Sequence, residues 1–445
     1  MIKTSEFGFM PENDGVANSK ALQSAVDLGG DIYIDLPGVY NLADCVTIGS
    51  DTALYFCEGS YIKRNKCDHT SYVFINKGAY TRTYDKNIKV CGLKIICDGV
   101  QASLKSEDGC IPGMRGHLSF FYIRNLVIDG FELLDLPSVC FAIQVCTFEN
   151  IVIKNLRVEG RKDAVHLGRG SKFVIRHGIF KTFDDPIALN AHDYASSNPQ
   201  LGWIENGIIE DCYDLDDSDT VGYFCRILAG AWGDWKEGME IQNSDTVAYR
   251  GRLYRALMRP DGTIYKSLTP PAHEYGCKVI DGINWVMIQD DVVYGSGCRN
   301  IHFKDIYLQK KREVAISVHF DKDRYSRSYY PGAIPPVQEN ILLENVCIEN
   351  DIPILLSAIT PLDSVKIINS VMDNSSIKLT DVETKGMEYK RTSILFSGTT
   401  FKGKGGKLVE TTGARSATVK IIGSCGDDGY KAEFSGDVDI KHNDL

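Results

Sequence analysis

Three aspartates in the first half of the chain have a spacing that suits acid–base chemistry. Asp184 and Asp185 are adjacent, and Asp184 follows Asp163 by 21 residues. That spacing is close to one turn of a parallel β-helix, in which residues one turn apart stack above one another. The three carboxylates would then lie together on one face, and their mutual repulsion would drive their pKa values apart. Such a cluster suits a general acid and a general base in one site.

Short strands that recur through most of the sequence would position these aspartates. Each unit has polar residues, an alternating apolar run, a turn residue and a second apolar pair. Examples are residues 124–133, 149–158, 171–180, 299–308, 339–348 and 363–372. Strand repeats of about 20–30 residues, with no helical periodicity between them, predict a β-solenoid. A sandwich has no fixed period and a propeller blade needs about 40–45 residues. The predicted fold is therefore all-β, a right-handed parallel β-helix.

Two segments break the repeat and suggest a domain organisation. The N-terminal segment contains an amphipathic pattern with Ser19 as its expected N-cap, so residues 1–45 are predicted to be a helical cap that covers the open end of the solenoid. Residues 238–292 are rich in Tyr, Gly and Pro and predict an inserted small β module. The insertion would divide the solenoid into residues 46–237 and residues 293–445, which end in a C-terminal cap.

The alternation within each strand predicts which side chains face outward. When the strands at 141–145, 163–167 and 185–189 are aligned, apolar residues share the columns that face the core. The residues between them form one outward column. Its members are Gln144, His166, Ala188, Arg226 and either Ser317 or His319. Arg226 is expected two turns beyond Asp185. This face combines acid–base groups with an arginine that could bind an anion or a hydroxyl group.

Further candidate ligand contacts lie in adjoining segments. His192 and Asp193 either contact a substrate or form a hydrogen-bonded pair within their loop. Trp232 and Trp235 follow Arg226 directly, and they either stack on sugar faces or pack locally.

The aspartates and the PIALN segment after them resemble the NTD and DDCVAIN motifs of polygalacturonase-type glycoside hydrolases of family 28. The resemblance covers roughly residues 120–350 and implies the pectin-lyase-like β-helix fold. It implies that Asp184 is the general acid and that Asp163 and Asp185 hold and activate a water. Attack by that water would invert the anomeric configuration.

Several positions depart from the family pattern. Arg161 stands where the NTD motif has Asn, and the GHG motif is missing, with His192 as a candidate substitute for its histidine. Leu228 replaces the lysine of the RIK motif, so that Arg226 alone remains of the pair that holds a galacturonate carboxylate. The lost lysine weakens the case for a pectin substrate.

The inserted segment has a resemblance of its own. Its YxGxxYxA strand and its late Trp resemble small β modules that occur as carbohydrate-binding pieces in chitinases and phage tail proteins. The resemblance implies a glycan-contacting flap that uses Tyr249, Tyr254 and Trp285. An ornament or a subunit contact is the alternative.

Composition excludes several classes of function. The net charge of −10 argues against nucleic acid as a partner, because phosphate binding needs concentrated Lys and Arg. No apolar run is long enough for a membrane span, and the first residues lack the apolar core of a signal peptide. The 14 cysteines form no CxxC pair, which favours buried free thiols and a cytoplasmic location. No Cys/His cluster has the spacing of metal ligands, so neither a metal nor another cofactor is predicted.

Together these observations predict a glycoside hydrolase that acts on an oligosaccharide by paired-aspartate catalysis, exo-acting and inverting. A homo-oligomer, either a dimer or a trimer, is compatible with the sequence. One alternative is a polysaccharide lyase or epimerase of the same fold, which would abstract a proton with Lys or Arg and often use Ca²⁺. The other is a glycan-binding or phage tail-like protein without catalytic activity.

Overall fold

Parallel pairing between successive turns organises the chain, as seen in a computed structural model. The structure describes residues 1–65, 72–100, 110–216, 219–381 and 389–445. Strands one turn apart pair in register, so that Val165 lies between Ile143 and Ile187. Inward side chains from successive turns form one continuous apolar core. The predicted all-β class and right-handed parallel β-helix are confirmed.

The first half of the solenoid begins within the segment predicted as a cap, because Gly30–Ile34 already pairs with Thr52–Phe56. Its strands before the long central turns are Ile2–Lys3, Gly30–Ile34, Gly38–Leu42, Val46–Ile48, Thr52–Phe56, Ser60–Arg64, Phe74–Asn76, Asp85–Cys91 and Lys94–Ile96. The central strands are Gly116–Asp129, Glu132–Leu136, Phe141–Gly160, Val165–Leu167, Gly170–Thr182, Ile187–Asn190, Trp203–Asp214, Cys225–Leu228 and Gly230–Ala231.

The second half continues the solenoid to the last residues. Its strands are Gly295–Leu308, Val314–His319, Glu339–Ile348, Ile354–Ala358, Ser364–Ile368, Val371–Asp373, Ser376–Leu379, Thr392–Ser397, Thr400–Lys402, Gly405–Thr411, Ser416–Ile422, Cys425–Gly426, Lys431–Ser435 and Asp437–Asn443. The C-terminal strand pairs in parallel with Ser416–Ile422, so the final segment forms a further turn of the β-helix.

Asparagines at the bends between strands explain the repeated polar positions in the sequence. Asn125 and Asn150 both have positive φ, a conformation that Asn tolerates better than most residues. The Nδ2 of Asn150 donates to Oδ1 of Asn125 at 2.8 Å, and Asn125 donates to Asn87 at 2.9 Å. These hydrogen bonds between stacked asparagines satisfy the polar groups of their side chains and hold adjacent turns in register.

The N-terminal helix spans Gly15–Val26, with a 3₁₀ turn at Thr4–Phe7 before it, and a short helix follows later at Gly78–Thr81. The prediction of Ser19 as N-cap is wrong, because the Asp14 side chain accepts the capping hydrogen bond from the Ala17 amide. Ser19 lies one turn inside the helix, where its hydroxyl donates to the Gly15 carbonyl. Aspartate is as good a cap as serine, and it lies where the helix begins.

The insertion forms two small antiparallel-rich sheets beside the solenoid. The larger sheet contains Gly233–Asp234, Thr246–Tyr249, Arg252–Ala256, Ile283–Gln289 and Cys277–Ile280 in that spatial order, and the smaller pairs Met239–Ile241 with Tyr265–Ser267. Arg169 of the solenoid forms an ion pair with Asp291 at the end of the module, with Nη2 2.6 Å from Oδ2.

Cysteines in the described part of the chain are all free thiols, and seven of these thirteen are buried. Within that same part, no helix has the length and apolar character needed to cross a membrane.

Candidate active site

Strand register brings the predicted outward residues into a single column on one face. Each turn contributes one residue to this column, and its members in order are Gln144, His166, Ala188, Arg226 and Ser317. The alternation in the sequence therefore identified which side chains share this face.

Two details of the register differ from expectation. Arg226 pairs with Ala188 and so lies one turn beyond the aspartate pair, not two. The reason is that the chain between them makes one long turn, in which residues 191–202 form a loop and Trp203–Asp214 forms the strand on the next face. His319 lies opposite Leu228, two residues along the strand from Ser317.

The three aspartates meet where these strands begin. One carboxylate oxygen from each of Asp163, Asp184 and Asp185 lies within 4.8 Å of the other two, and we call these residues the carboxylate cluster. Asp163 and Asp185 are fully buried, whereas the Asp184 side chain is 18% exposed. Asp184 is therefore the member of the cluster that a bound molecule can reach directly.

Lys162 covers the cluster from the outer side. Its Nζ donates a hydrogen bond to Asp184 and lies 3.4 Å from Oδ1 of Asp163. The lysine side chain is 15% exposed, and attraction to both carboxylates raises the pKa of Lys162 against the opposing effect of burial. The site thus contains a charged lysine in contact with two of its three aspartates.

Arg226 supports the cluster from the next turn. Its Nε lies 3.0 Å from Oδ2 of Asp185, and its Nη2 lies 3.6 Å from Asp193 and 3.9 Å from Asp163. Asp193 is held in this arrangement because its carboxylate accepts hydrogen bonds from the Asn190 side chain at 2.8 Å and from the backbone amide that follows it. One partly exposed guanidinium therefore contacts three carboxyl groups and compensates the charge of those that are ionised, which burial would otherwise disfavour.

The two buried aspartates titrate in opposite directions. Burial and the neighbouring carboxylates raise the pKa of Asp185 to about 8, against the attraction of Arg226. Burial also opposes the charge of Asp163, but Lys162, the hydrogen bond with His166 and Arg226 hold the pKa of that carboxyl well below its usual value. Because the carboxyls interact, the proton belongs to the cluster, and the cluster retains one near neutral pH.

His166 contacts two carboxylates of the site, those of Asp163 and Asp193. Its Nδ1 lies 3.0 Å from Oδ2 of Asp163 and its Nε2 lies 3.6 Å from Oδ2 of Asp193. The His166 ring stacks on the Phe141 ring with centroids 3.9 Å apart. The guanidinium carbon of Arg115 also lies over the Phe141 ring, 4.6 Å from its centroid. The side chain is 1% exposed, so His166 orients two carboxylates instead of contacting a substrate as predicted.

Two other predicted substrate contacts are also buried. The Gln144 amide accepts from the Arg115 backbone and donates to the Gly113 and Ser197 carbonyls, which ties two loops to the column. His192 is 1% exposed, and burial together with Arg255 lowers its pKa well below the usual value. A neutral, enclosed imidazole does not replace the histidine of the GHG motif.

The predicted stacking tryptophans pack locally. Trp232 is 2% exposed, and its Nε1 donates to the Val293 carbonyl at 2.6 Å. Trp235 donates to the Ser267 hydroxyl and packs edge-on against Tyr249 in the module. Of the two interpretations left open by the sequence, local packing therefore describes Trp232, whose ring is enclosed, and Trp235 also packs within the module.

The expected glycan-contacting flap is corrected in the same way. Tyr254 and Trp285 are fully buried and form the apolar core of the insertion, and Tyr249 packs against that core. These aromatic residues stabilise the module, because its two small sheets need a shared apolar core.

Several groups near the cluster were not singled out in the sequence. The Tyr223 amide donates to Oδ1 of Asp185 at 2.8 Å, and the Tyr194 ring lies beside the exposed Tyr325 with centroids 5.8 Å apart. Lys162 could have been recognised from the sequence, because it directly precedes Asp163. The tyrosines gave no such signal, because Tyr223 reaches Asp185 only through the long turn.

Three carboxylate oxygens within 4.8 Å could also act as ligands of a divalent cation. Here Lys162 contacts Asp163 and Asp184, and Arg226 contacts Asp185. Side-chain cations thus already balance the charge at these positions, and the arrangement fits proton transfer better than cation binding.

No protein-family model matches the chain, and no curated protein sequence does. Solved structures are similar to the chain at low sequence identity. The surface adhesin PfbA of Streptococcus pneumoniae is 15% identical with a TM-score of 0.49, covering 99% of this chain and 100% of the adhesin. The family 28 exopolygalacturonase of Yersinia enterocolitica is 13% identical with a TM-score of 0.48, covering 98% of this chain and 78% of that enzyme. The GH87 α-1,3-glucanase of Streptomyces thermodiastaticus is 11% identical with a TM-score of 0.49, covering 99% of this chain and 68% of that enzyme.

Proposed function

We propose that this protein is a glycoside hydrolase that cleaves a glycosidic bond by acid–base catalysis. The observation that carries the proposal is the carboxylate cluster, in which three carboxylate oxygens lie within 4.8 Å and only Asp184 is partly exposed. The raised pKa of Asp185, about 8, supplies the cluster with a proton near neutral pH. A protonated carboxyl and an ionised carboxylate side by side are the groups that glycoside hydrolysis requires.

In the proposed reaction Asp184 donates the proton of the cluster to the leaving oxygen as the bond to the anomeric carbon breaks. A water oxygen bonds to that carbon, and the water gives its proton to Asp163. Lys162 now covers Asp163, so its flexible side chain must move to admit the water. The proton on Asp163 then passes through Asp185 back to Asp184, which restores the starting state.

We propose inversion, although the separation of the carboxylate oxygens alone would not require it. Inverting enzymes commonly hold their carboxyl groups about 6.5–9.5 Å apart, and retaining enzymes hold them about 5–5.5 Å apart. Oxygens within 4.8 Å are nearer the second class. A retaining enzyme, however, needs a second carboxylate that bonds to the anomeric carbon, and Asp163 and Asp185 are both fully buried. Burial therefore favours water as the nucleophile.

Exo action is supported by loops that are fixed beside the cluster. In residues 321–330, Arg327 forms an ion pair with Asp245 of the insertion, with Nε 2.7 Å from Oδ1. In residues 191–202, the Ala195 amide donates to the Ser244 hydroxyl at 3.0 Å. Both loops are thus anchored to the module, and anchored loops at this position would favour binding of a chain end over a long polymer.

The test is a screen of neutral and acidic oligosaccharides of several linkages with product analysis by chromatography and NMR. Release of one terminal sugar with inverted anomeric configuration is expected. Binding without turnover across the screen would contradict the proposal and favour a glycan-binding protein.

A second candidate is a lyase or epimerase, and one observation favours it. Lys162 contacts Asp163 and Asp184, and a lysine at the site could abstract a proton next to a uronate carboxylate. Ultraviolet absorbance from an unsaturated product on uronate oligosaccharides, lost in Lys162→Met, would establish this reaction in place of hydrolysis.

A further inference from the structure

A patch of polar side chains lies one to two turns beyond the aspartate pair of the carboxylate cluster. We call Tyr223, Ser317, His319 and Asp321 the polar patch. His319 Nδ1 lies 2.9 Å from the Ser317 hydroxyl and its Nε2 lies 3.4 Å from Oδ1 of Asp321. The Tyr223 ring lies 5.7 Å from the His319 ring. These contacts order four groups that can exchange hydrogen bonds with a ligand.

The polar patch is continuous with the carboxylate cluster. Tyr223 contacts Asp185 through its backbone amide, and Ser317 pairs with Arg226 in the strand register. The side chains of His319 and Asp321 are each 13% exposed, close to the 18% of Asp184. The polar patch therefore continues the face of the carboxylate cluster beyond Arg226.

The charges on this side suit hydroxyl groups and oppose a carboxylate. Arg226 is a cation next to the polar patch, and it already contacts Asp163, Asp185 and Asp193. Asp321 places a further negative charge at the outer edge. A uronate carboxylate here would face Asp321 and would have to compete for Arg226, whereas sugar hydroxyls match the donors and acceptors present.

The polar patch also borders a fixed wall. Asp321 begins the loop of residues 321–330, which Arg327 anchors to Asp245 of the insertion. An anchored loop at this edge bounds the polar patch, which suits the terminal sugar of a chain.

We propose that the polar patch is the subsite for the terminal sugar and that it selects an uncharged sugar through its hydroxyl groups. This inference rests on the proposed hydrolase function and names the substrate class of that site. It concerns the polar patch alone. On the opposite side of the cluster Arg115 lies over Phe141, and a charged sugar there is compatible with the proposal.

The experiment uses matched pairs of 4-nitrophenyl glycosides: glucosides with glucuronides and galactosides with galacturonides, in both anomers. The full-length protein is expected to hydrolyse a neutral member with kcat/KM at least 100-fold above its acidic partner. Faster hydrolysis of the acidic member would overturn the inference and leave the proposed hydrolase intact.

Two variants separate selection at the polar patch from general charge effects. His319→Lys puts a cation next to Ser317 and is expected to reduce the neutral-to-acidic ratio at least 10-fold. His177→Lys adds the same charge on another face, where the histidine is half-exposed and contacts Asn155, and should leave the ratio unchanged. An unchanged ratio in His319→Lys would remove the polar patch from substrate selection.

Failure of hydrolysis is distinguishable from failure of selection. If no glycoside is cleaved, binding of the same pairs to the wild type is measured by NMR. Preferential binding of the neutral members that weakens in His319→Lys would retain the subsite and reject the hydrolase. Equal or preferential binding of the acidic members, or no binding of either, would reject the subsite.

Discussion

Arg226 and Asp185 form an ion pair between neighbouring turns of the β-helix, with Nε 3.0 Å from Oδ2. The strand register creates this contact, because Arg226 lies opposite Ala188, three residues after Asp185. The guanidinium also lies within 4 Å of Asp163 and Asp193, and its side chain is only 12% exposed. Its charge therefore serves the carboxylates of the protein itself, in contrast to the substrate clamp that the resemblance implied.

Replacement of Arg226 should destabilise the protein as well as inactivate it. Arg226→Ala would leave the buried carboxylates of Asp163 and Asp193 without their shared cation and the Asp185 carboxyl without its partner, at an expected cost of about 3–5 kcal/mol in the free energy of unfolding. Arg226→Lys keeps the charge but loses the fork, so we expect an intermediate loss. Urea unfolding measures both. Arg124→Ala is the control, since its ion pair with Glu149 is half-exposed and should contribute about 0–1 kcal/mol. Equal stability of Arg226→Ala and the wild type would contradict the assignment.

Asp184→Asn should affect activity more than stability. The amide keeps the size of the side chain, which is partly exposed, but it cannot donate the proton of the cluster. We expect kcat to fall at least about 10²-fold, the usual contribution of a general acid. The measurement is kcat on the best substrate from the oligosaccharide screen, with circular dichroism to verify folding. Asp211→Asn, at a half-exposed surface position, is the matched control. Retained activity in folded Asp184→Asn would exclude Asp184 from catalysis.

The fold could be predicted from the sequence because its signals are local and repeated. Alternating apolar residues recur at each turn, and polar residues such as Asn125 and Asn150 mark the same bend on successive turns. The stacking of Asp163 below Asp185 follows from the same period. Regular stacking converts a sequence spacing into a spatial position, which few other folds allow.

The surroundings of the site could not be predicted in the same way, because long turns and the insertion interrupt the period. Trp232 follows Arg226 closely in sequence, yet its ring is buried and hydrogen-bonded to Val293, 61 residues later. Tyr223 reaches Asp185 across a turn of 38 residues. Such contacts depend on how loops fold back, and no periodicity encodes that. The cytoplasmic location and the oligomeric state remain predictions.

Trp232 and Tyr325 are both aromatic residues of loops, but the first is buried and the second is exposed. Trp232→Ala should lower the free energy of unfolding by about 3–5 kcal/mol, as expected for a large buried side chain. Tyr325 is 41% exposed beside Tyr194, which follows Asp193 of the site, so Tyr325→Ala should leave stability nearly unchanged and, as a substrate contact, raise KM. Thermal unfolding and steady-state kinetics measure the two effects. The reverse pattern, with an altered KM only in Trp232→Ala, would restore the tryptophan as a sugar-stacking residue.

Activity should not depend on a divalent cation. Lys162 and Arg226 already lie against the carboxylates that could bind one, and a cation there would have to displace Lys162. We expect unchanged kcat/KM after dialysis against EDTA and no rise in Tm on addition of Ca²⁺. Loss of activity in EDTA that Ca²⁺ restores would contradict this prediction and support the lyase alternative.

The raised pKa of Asp185 has a consequence for stability. Its value in the folded protein is about 8, whereas its ordinary value is 3.8. Between these values the native state binds more protons than the unfolded state, so the contribution of Asp185 to stability decreases as pH rises through this window. Asp163 has a lowered pKa and acts in the opposite sense, but its contribution changes only below its ordinary value of 3.8. Above about pH 4, Asp185 is therefore the group of this pair that changes stability.

We expect the free energy of unfolding of the wild type, measured with urea at intervals from about pH 5 to pH 8, to decrease relative to that of Asp185→Asn. The asparagine variant does not titrate at this position, so the difference between the two curves isolates the carboxyl group even where other groups also titrate. The same proton is needed for catalysis, and kcat should fall as pH rises through about 8, the pKa of Asp185. Parallel stability curves for the two proteins would show that Asp185 is ionised throughout this range, and the proton of the proposed general acid would then have to come from elsewhere in the cluster.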